Sequence, residues 1–358
     1  MLKRSKYIKL FLFLFLFLHV IPFVLKESYQ FITILNYSIV IFLLFIFSFN
    51  KKKMAPISII FMSLIFISIT MSFSGLSGTI SSLILAATIP HFLFSNINSE
   101  KDFLQLFYQP IILCSLLLIL FSAYLYIDVY KILDDFYYLG EYFIIASVNY
   151  VSLIFSSFCV IVYLLFRTKI KQIDNKLFYS LFFILLVLIT AFYSLIFLTR
   201  SAFICSFFLL FAYFKKERIF IALTLIFAIY NLDLILLEGI KFLGSNSISN
   251  IATDNNRAES AKNLINSSLS FDFNFRKEMS YSSLINLLFS LFPLTLVFLY
   301  DPFKTLIIIF NRRDLSLFSA FLSCLILVIY QMDFFSIFSF FFFIEYVKII
   351  FVNEKYAS

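Results

Sequence analysis

Runs of apolar residues recur along this chain from one end to the other, separated by short polar segments. A hydrocarbon core about 30 Å thick needs roughly 17–25 mostly apolar residues for each helix that crosses it. On that template we place spans at residues 7–25, 31–49, 57–73, 79–95, 106–127, 142–166, 177–198, 201–214, 219–237, 282–300, 315–330 and 334–351. The pattern therefore predicts an all-α polytopic membrane protein with about twelve transmembrane helices.

Composition agrees with this class. Hydrophobic residues make up 62% of the chain and charged residues only 13%, whereas soluble domains carry about 25% charged residues. No polar stretch is long enough for a separate soluble domain, so residues 1–358 are predicted to form one transmembrane domain. The run at 201–214 is short, and residues 303–310 are too few to cross, so we expect them to be interfacial.

The positions of Lys and Arg predict the orientation. With the N-terminus inside, 20 of the 28 basic residues fall in cytoplasmic segments and five fall in one long external loop. Only Lys26, Lys131 and Arg200 remain for all other external positions. Because cytoplasmic loops are enriched in positive charge, we expect both termini in the cytoplasm and a multi-pass location in the bacterial inner membrane. Basic residues in short clusters also argue against nucleic acid as a partner.

Arg200 runs against this charge distribution, because it lies at the external end of the seventh span. A charged side chain near hydrocarbon is costly unless it is paired or faces a water-filled cavity. Two interpretations stay open: Arg200 extends toward lipid phosphate, or it binds an anionic group in an external cavity.

The external loop at 238–281 is the longest polar segment. Loops of this length are usually functional or disordered. Residues 254–265 (DNNRAESAKNLI) favour a short helix that starts near Asn255, with Asp254 as its cap. Guanidinium groups make bidentate hydrogen bonds to phosphate, so Arg200 and Arg257 are candidates to hold the diphosphate of a lipid-linked sugar without a metal.

The remaining reactive residue types give little evidence for other chemistry. His19 and His91 are far apart, and the four cysteines are isolated within apolar runs. We interpret the cysteines as core residues and expect no metal and no cofactor. Asp233 and Glu345 lie within spans near helix ends, which gives little support for ion-coupled transport.

Three short segments resemble one protein family. Residues 198–203 (LTRSAF) are similar to an R-[ST]-[AGS]-hydrophobic element at a helix junction, and residues 256–259 (NRAE) resemble the arginine-bearing start of a helix in a large loop. Residues 281–288 (YSSLINLL) resemble the re-entry helix that follows. With the overall plan of spans and loop, the chain resembles the Wzy-type bacterial polysaccharide polymerases, which are related to the O-antigen ligases.

The resemblance implies an activity and a site. Such a polymerase is a GT-C-like helical glycosyltransferase that joins undecaprenyl-diphosphate-linked repeat units of O-antigen or capsule at the outer membrane face, by inverting transfer without a metal. Arg200 and Arg257 would bind the diphosphate, and Arg276 would either assist them or anchor the loop at the lipid headgroups. The expected partners are the lipid-linked oligosaccharide, membrane lipid, a chain-length regulator and a flippase. The candidates for the general base are Asp254, Glu259 and Glu278.

Two alternative functions remain. A flippase for lipid-linked oligosaccharide would need charged or polar residues inside several spans. An O-antigen ligase typically has a histidine before the re-entry helix, where this chain reads EMSY at 278–281. The glycine-rich stretch often found after the arginine helix is also missing.

Overall fold

The computed structural model describes residues 2–20, 78–94, 97, 99–132, 150–170, 176–196, 199–231, 262–263, 265–266, 283–289, 296–330 and 334–354. Within these ranges all regular secondary structure is helical, which confirms the all-α prediction. The helices are α1 (Leu2–Val20), α2 (Gly78–Phe94), α3 (Glu100–Ile132), α4 (Tyr150–Ile170), α5 (Lys176–Ile196), α6 (Arg200–Tyr213), α7 (Arg218–Tyr230), α8 (Ser283–Phe289), α9 (Val297–Asn311), α10 (Leu315–Tyr330) and α11 (Phe334–Glu354).

Several helices begin and end within three residues of the predicted spans. They are α2, α5, α6, α10 and α11, of which α10 has the predicted boundaries. The expected spans at 31–49 and 57–73 lie outside the described residues. In the 238–281 loop, residues 262–263 and 265–266 are helical, while the predicted helix start near Asn255 and its cap Asp254 lie outside the described residues.

Helix α9 corrects the predicted boundary at residue 300. The sequence favoured a span that ends there, followed by a separate interfacial segment at 303–310, but one helix runs from Val297 to Asn311 with Pro302 inside it. The separate segment was expected because eight residues are too few to cross a membrane. Asp301 lies between the two predicted segments, and its carboxylate is buried against Lys348 of α11, so its charge does not end the helix.

Helix α3 also extends beyond its predicted limits. The span at 106–127 followed hydropathy alone, whereas α3 covers 33 residues. Ser99 caps its N-terminus, because the Asp102 amide donates to Ser99 Oγ at 3.1 Å. Glu100 and Asp102 then lie in the first turn, where negative charge is favourable.

The chain divides into two compact units. Unit 1 contains Met1–Ile39, Asn98–Ile251 and Leu315–Ser323. Unit 2 contains Val40–Ile97, Ala252–Asp314 and Cys324–Ser358. The cysteines Cys114, Cys159, Cys205 and Cys324 are all buried, as predicted for core residues.

Helix α4 is the central helix of unit 1, since every side chain from 152 to 166 is buried. It packs on α3, α5 and α6. Phe155 stacks on Tyr193 with ring centroids 5.4 Å apart, and Phe166 meets Tyr179 edge-on at 4.9 Å. Because the second pair lies further along α4 but earlier in α5, the two helices are antiparallel.

Helices α3 and α5 run in the same direction. Tyr108 and Tyr179 share a hydrogen bond of 3.0 Å, and Tyr193 donates to the carbonyl of Ser122. The two contacts are separated by 14 residues in each helix and occur in the same order. The orientation predicted for spans 5 and 7 requires this parallel arrangement.

Helix α6 runs antiparallel to α5 and to the unit 1 part of α10. Ser180 of α5 bonds to Tyr213 near the end of α6 at 3.0 Å. The unit 1 part of α10 contributes Ser319, which donates to Phe208 O at 2.6 Å, and Ser323, which donates to Cys205 O at 3.4 Å. These directions also agree with the alternation predicted for spans 7, 8 and 11.

In unit 2, α11 is central, with buried side chains from 335 to 347. It packs against α2, α8 and α9. Phe342 meets Phe94 of α2 edge-on at 4.8 Å, and Phe341 meets Phe298 of α9 at 6.0 Å. Aromatic side chains therefore fill the interior of this unit.

The outer face of α5 is apolar. Exposed side chains recur every three or four residues along it, at Leu177, Leu181, Leu185, Leu188 and Phe192. Soluble proteins rarely expose a continuous apolar stripe of this kind. Among the described residues, the helices at Glu100–Ala123 and Leu177–Leu195 are long and apolar enough to cross a membrane, which indicates membrane association.

Candidate functional site

Arg200 is the one predicted site residue that falls within the described ranges. It is the first residue of α6 and its side chain is exposed. The other predicted residues lie outside the described ranges, so their distances from Arg200 are not part of the described structure. They are Asp254, Arg257, Glu259, Arg276 and Glu278.

Thr199 precedes α6 and is 1% exposed. Its backbone is held on both sides, because its amide donates to Ser194 O at 2.8 Å and its carbonyl accepts from Phe203 N at 3.1 Å. Its hydroxyl oxygen accepts a hydrogen bond from Ser152 Oγ of α4 at 2.7 Å. The backbone leading into Arg200 is thus fixed by three hydrogen bonds.

The charge of Arg200 is not explained by helix stability. The N-terminus of an α-helix carries a partial positive charge, so a cation there is unfavourable. The partial charge of the helix start and the charge of the guanidinium both attract anions. Backbone amides at a helix start are also suited to bind phosphate. An anion at the start of α6 would offset both the partial charge of the helix start and the charge of Arg200.

The surroundings of Thr199 are polar for the interior of an apolar bundle. Ser152, Ser194 and Thr199 are buried, and Ser156 donates to Ser152 O at 2.7 Å. Tyr193, which precedes Ser194, is also buried, and its hydroxyl donates to Ser122 O. Hydroxyl groups of this kind can orient an arginine or a ligand but carry no charge of their own.

Three basic residues of unit 1 with described contacts, Lys9, Arg167 and Arg218, lie at the other end of the bundle from Arg200. Lys131 does not, because it lies near the end of α3, which runs parallel to α5. Lys9 Nζ donates to Gln109 at 3.5 Å, and Arg167 donates to Tyr163 at 3.3 Å near the end of α4. Arg218 is bonded to Phe211 O and to Ser316. Since α4 ends where α5 begins and α6 starts where α5 ends, Arg200 is separated from them along the bundle.

Unit 2 contains a second group of charged residues, which the sequence analysis missed. Lys348 donates to Asp301 and, at 2.7 Å, to Glu345, while His91 Nδ1 lies 3.4 Å from the same Glu345 oxygen. The carboxylates are almost buried, with side-chain exposures of 12% for Asp301 and 11% for Glu345. We call these four residues the charged cluster.

Only part of the charged cluster had a signal in the sequence. Glu345 and Lys348 are three residues apart, the spacing of neighbours on one helix face, but Lys348 was counted simply as a cytoplasmic basic residue. His91 is 254 residues from Glu345 and Asp301 is 47 residues from Lys348. Such distant pairs follow from the packing of α2, α9 and α11, which one sequence does not reveal.

The chain matches no protein-family model, no curated protein and no solved structure. In the part of the chain that the structure describes, no group of three or more His, Cys, Asp or Glu residues is arranged to hold a metal ion.

Proposed function

We propose that this chain is a polytopic membrane glycosyltransferase that polymerises undecaprenyl-diphosphate-linked oligosaccharide repeat units at the outer face of the cytoplasmic membrane. The observation that carries the proposal is the exposed Arg200 at the start of α6. It lies at the end of the unit 1 helices opposite to Lys9, Arg167 and Arg218, and the charge distribution of the sequence predicts that this end is external.

Arg200 supplies what a lipid diphosphate leaving group requires. The diphosphate gains negative charge as its bond to the sugar breaks, and a fixed cation stabilises that charge more in the transition state than in the ground state. The three hydrogen bonds at Thr199 limit the movement of the backbone before Arg200. A guanidinium that extends from such a backbone would stabilise the leaving group without a metal.

A polytopic arrangement in the membrane is supported by three features of the described residues. The helices at Glu100–Ala123 and Leu177–Leu195 are long and apolar enough to cross. Helix α5 exposes a continuous stripe of leucines, and α7 exposes Ile219, Phe220 and Leu223. The relative helix directions in unit 1 are those expected of spans that alternate in direction.

The remaining roles are assigned by the resemblance. Arg257 and Arg276 would complete the diphosphate site from the 238–281 loop, and Asp254, Glu259 or Glu278 would take the proton from the attacking sugar hydroxyl. Inverting transfer follows from direct displacement of the diphosphate by that hydroxyl. The acceptor is a second lipid-linked repeat unit.

Arg200→Ala tests the proposal in the organism that makes the polymer. We expect a strain that carries only this variant to lose long glycan chains while single repeat units remain, because the leaving group has lost its cation. The measurement is a gel of extracted glycan, with protein level checked by an epitope tag. Arg313→Ala is the control, since Arg313 is an exposed arginine in the turn after α9.

The proposal requires that the two variants differ. Wild-type chain lengths in Arg200→Ala, at a normal protein level, would show that Arg200 does not act in polymerisation. Loss of polymer in Arg313→Ala as well would show that the defect does not report on the diphosphate site.

The charged cluster favours a second candidate function, a flippase for lipid-linked oligosaccharide. Ionisable residues inside membrane helices often mark a transport pathway, and these four come from three helices of unit 2. The two functions differ in what accumulates when the gene is deleted. Repeat units confined to the cytoplasmic face indicate a flippase, whereas single repeat units at the outer face indicate a polymerase.

A further inference from the structure

The hydroxyl of Thr199 has an unusual partner for a residue in its position. A threonine before the first turn of a helix normally accepts a hydrogen bond from an amide of that turn. Thr199 makes no side-chain cap of this kind for α6. Its oxygen instead accepts from Ser152 Oγ, 47 residues earlier in the chain, at 2.7 Å.

Ser152 belongs to the most buried helix of unit 1. Ser152 is fully buried, and its carbonyl accepts the hydroxyl of Ser156 one turn further along α4. The Ser152–Thr199 bond therefore connects the start of α6 to the centre of the unit. A hydrogen bond between two buried hydroxyls is electrostatically stronger than the same bond in water, because the interior has a lower dielectric constant.

We propose that Ser152 is a positioning residue for Arg200 and acts through Thr199. The bond fixes the backbone from which the guanidinium extends, so that its planar group meets the diphosphate in a bidentate geometry. When the Ser152–Thr199 bond is broken, the Thr199 side chain can rotate to cap α6. That rotation changes the backbone direction at Arg200, the first residue of the helix. The inference rests on the proposed function, because it assumes that Arg200 binds a lipid diphosphate.

The test measures binding of undecaprenyl diphosphate to the full-length protein in lipid nanodiscs. Ser152→Ala and Thr199→Val each break the bond, and we expect each to raise the Kd about 5-fold. This increase is smaller than the about 10- to 100-fold increase in Kd that follows from loss of a charged hydrogen bond. We expect Arg200→Ala to raise it by about 10- to 100-fold.

The double variant Ser152→Ala/Thr199→Val separates positioning from stability. Each single variant removes the Ser152–Thr199 hydrogen bond but keeps one of its two buried hydroxyls, whereas the double variant replaces both hydroxyls by apolar groups and avoids the cost of burying the remaining one. We expect its thermal stability to recover while its Kd stays as high as in the single variants. Recovery of the Kd together with stability would overturn the positioning role.

Thr190→Val is the matched control, because it breaks another buried contact to α4, between Thr190 Oγ1 and Cys159 at 3.1 Å. We expect lower thermal stability with an unchanged Kd. If Arg200→Ala binds as wild type does, the proposed function fails. If Arg200→Ala binds weakly while Ser152→Ala and Thr199→Val bind as wild type does, only the positioning role fails.

Discussion

Lys348 lies between two carboxylates that belong to different helices, Asp301 of α9 and Glu345 of its own α11. Taking three charged groups out of water costs several kcal/mol for each ion, and mutual attraction offsets that cost only while all partners are present. His91 adds a fourth polar group from α2. The stability of unit 2 therefore depends on the charge balance of the charged cluster.

Lys348→Met tests this dependence. The substitution keeps the apolar stem and leaves Asp301 and Glu345 without their shared cation, so we expect a loss of about 2–4 kcal/mol of stability. The measurement is the thermal unfolding midpoint of the purified protein. Lys304→Met is the control, because exposed Lys304 lies 5.9 Å from the Tyr300 ring and its loss costs less than about 1 kcal/mol. Equal midpoints for the two variants would contradict the account.

Individual residues differ in how far the sequence reveals them. Arg200 was recognised because it breaks the positive-inside trend, a signal that depends on position along the chain alone. The partner of Thr199 could not be recognised, since Ser152 is one of many serines in apolar runs. Ser152 becomes the partner of Thr199 because the start of α4 lies against the end of α5 in the folded chain.

At the scale of helices, hydropathy predicts boundaries where a polar turn ends the apolar run. Helix α10 begins after Asp314 and matches its prediction. Helix α9 does not, because Asp301 and Pro302 resemble a boundary in the sequence while the folded chain pairs the carboxylate with Lys348. The ion pair between α9 and α11 offsets the cost of burying the Asp301 carboxylate. A charge that resembles a helix end in the sequence can therefore lie within a helix.

The exposed stripe of α5 makes a prediction about lipid contact. We expect Leu185→Lys to lower accumulation of the protein in the membrane, because a lysine at the centre of a membrane helix costs about 2.5–3.5 kcal/mol. Leu177→Lys is the control on the same face, since a lysine at the helix end reaches the interface with its flexible stem. Membrane fractionation measures both. Normal accumulation of Leu185→Lys would show that this face does not contact lipid.

At the scale of the whole molecule, the direction of helices was predictable and their partners were not. Alternation of basic residues between segments gave directions that agree with the contacts of α3, α4, α5 and α6 in unit 1. Which helix lies beside which depends on side-chain complementarity that hydropathy does not contain. The 238–281 loop, which carries most of the predicted site, lies almost entirely outside the described residues.

The central claim is that this chain alone joins lipid-linked repeat units. Purified protein in liposomes should convert the repeat-unit lipids extracted from its own deletion strain into a ladder of longer glycans, with release of undecaprenyl diphosphate. We expect Arg200→Ala to give no ladder and Arg313→Ala to give the wild-type ladder. Movement of the repeat-unit lipids across the bilayer without any increase in glycan length would contradict the claim and identify a flippase instead.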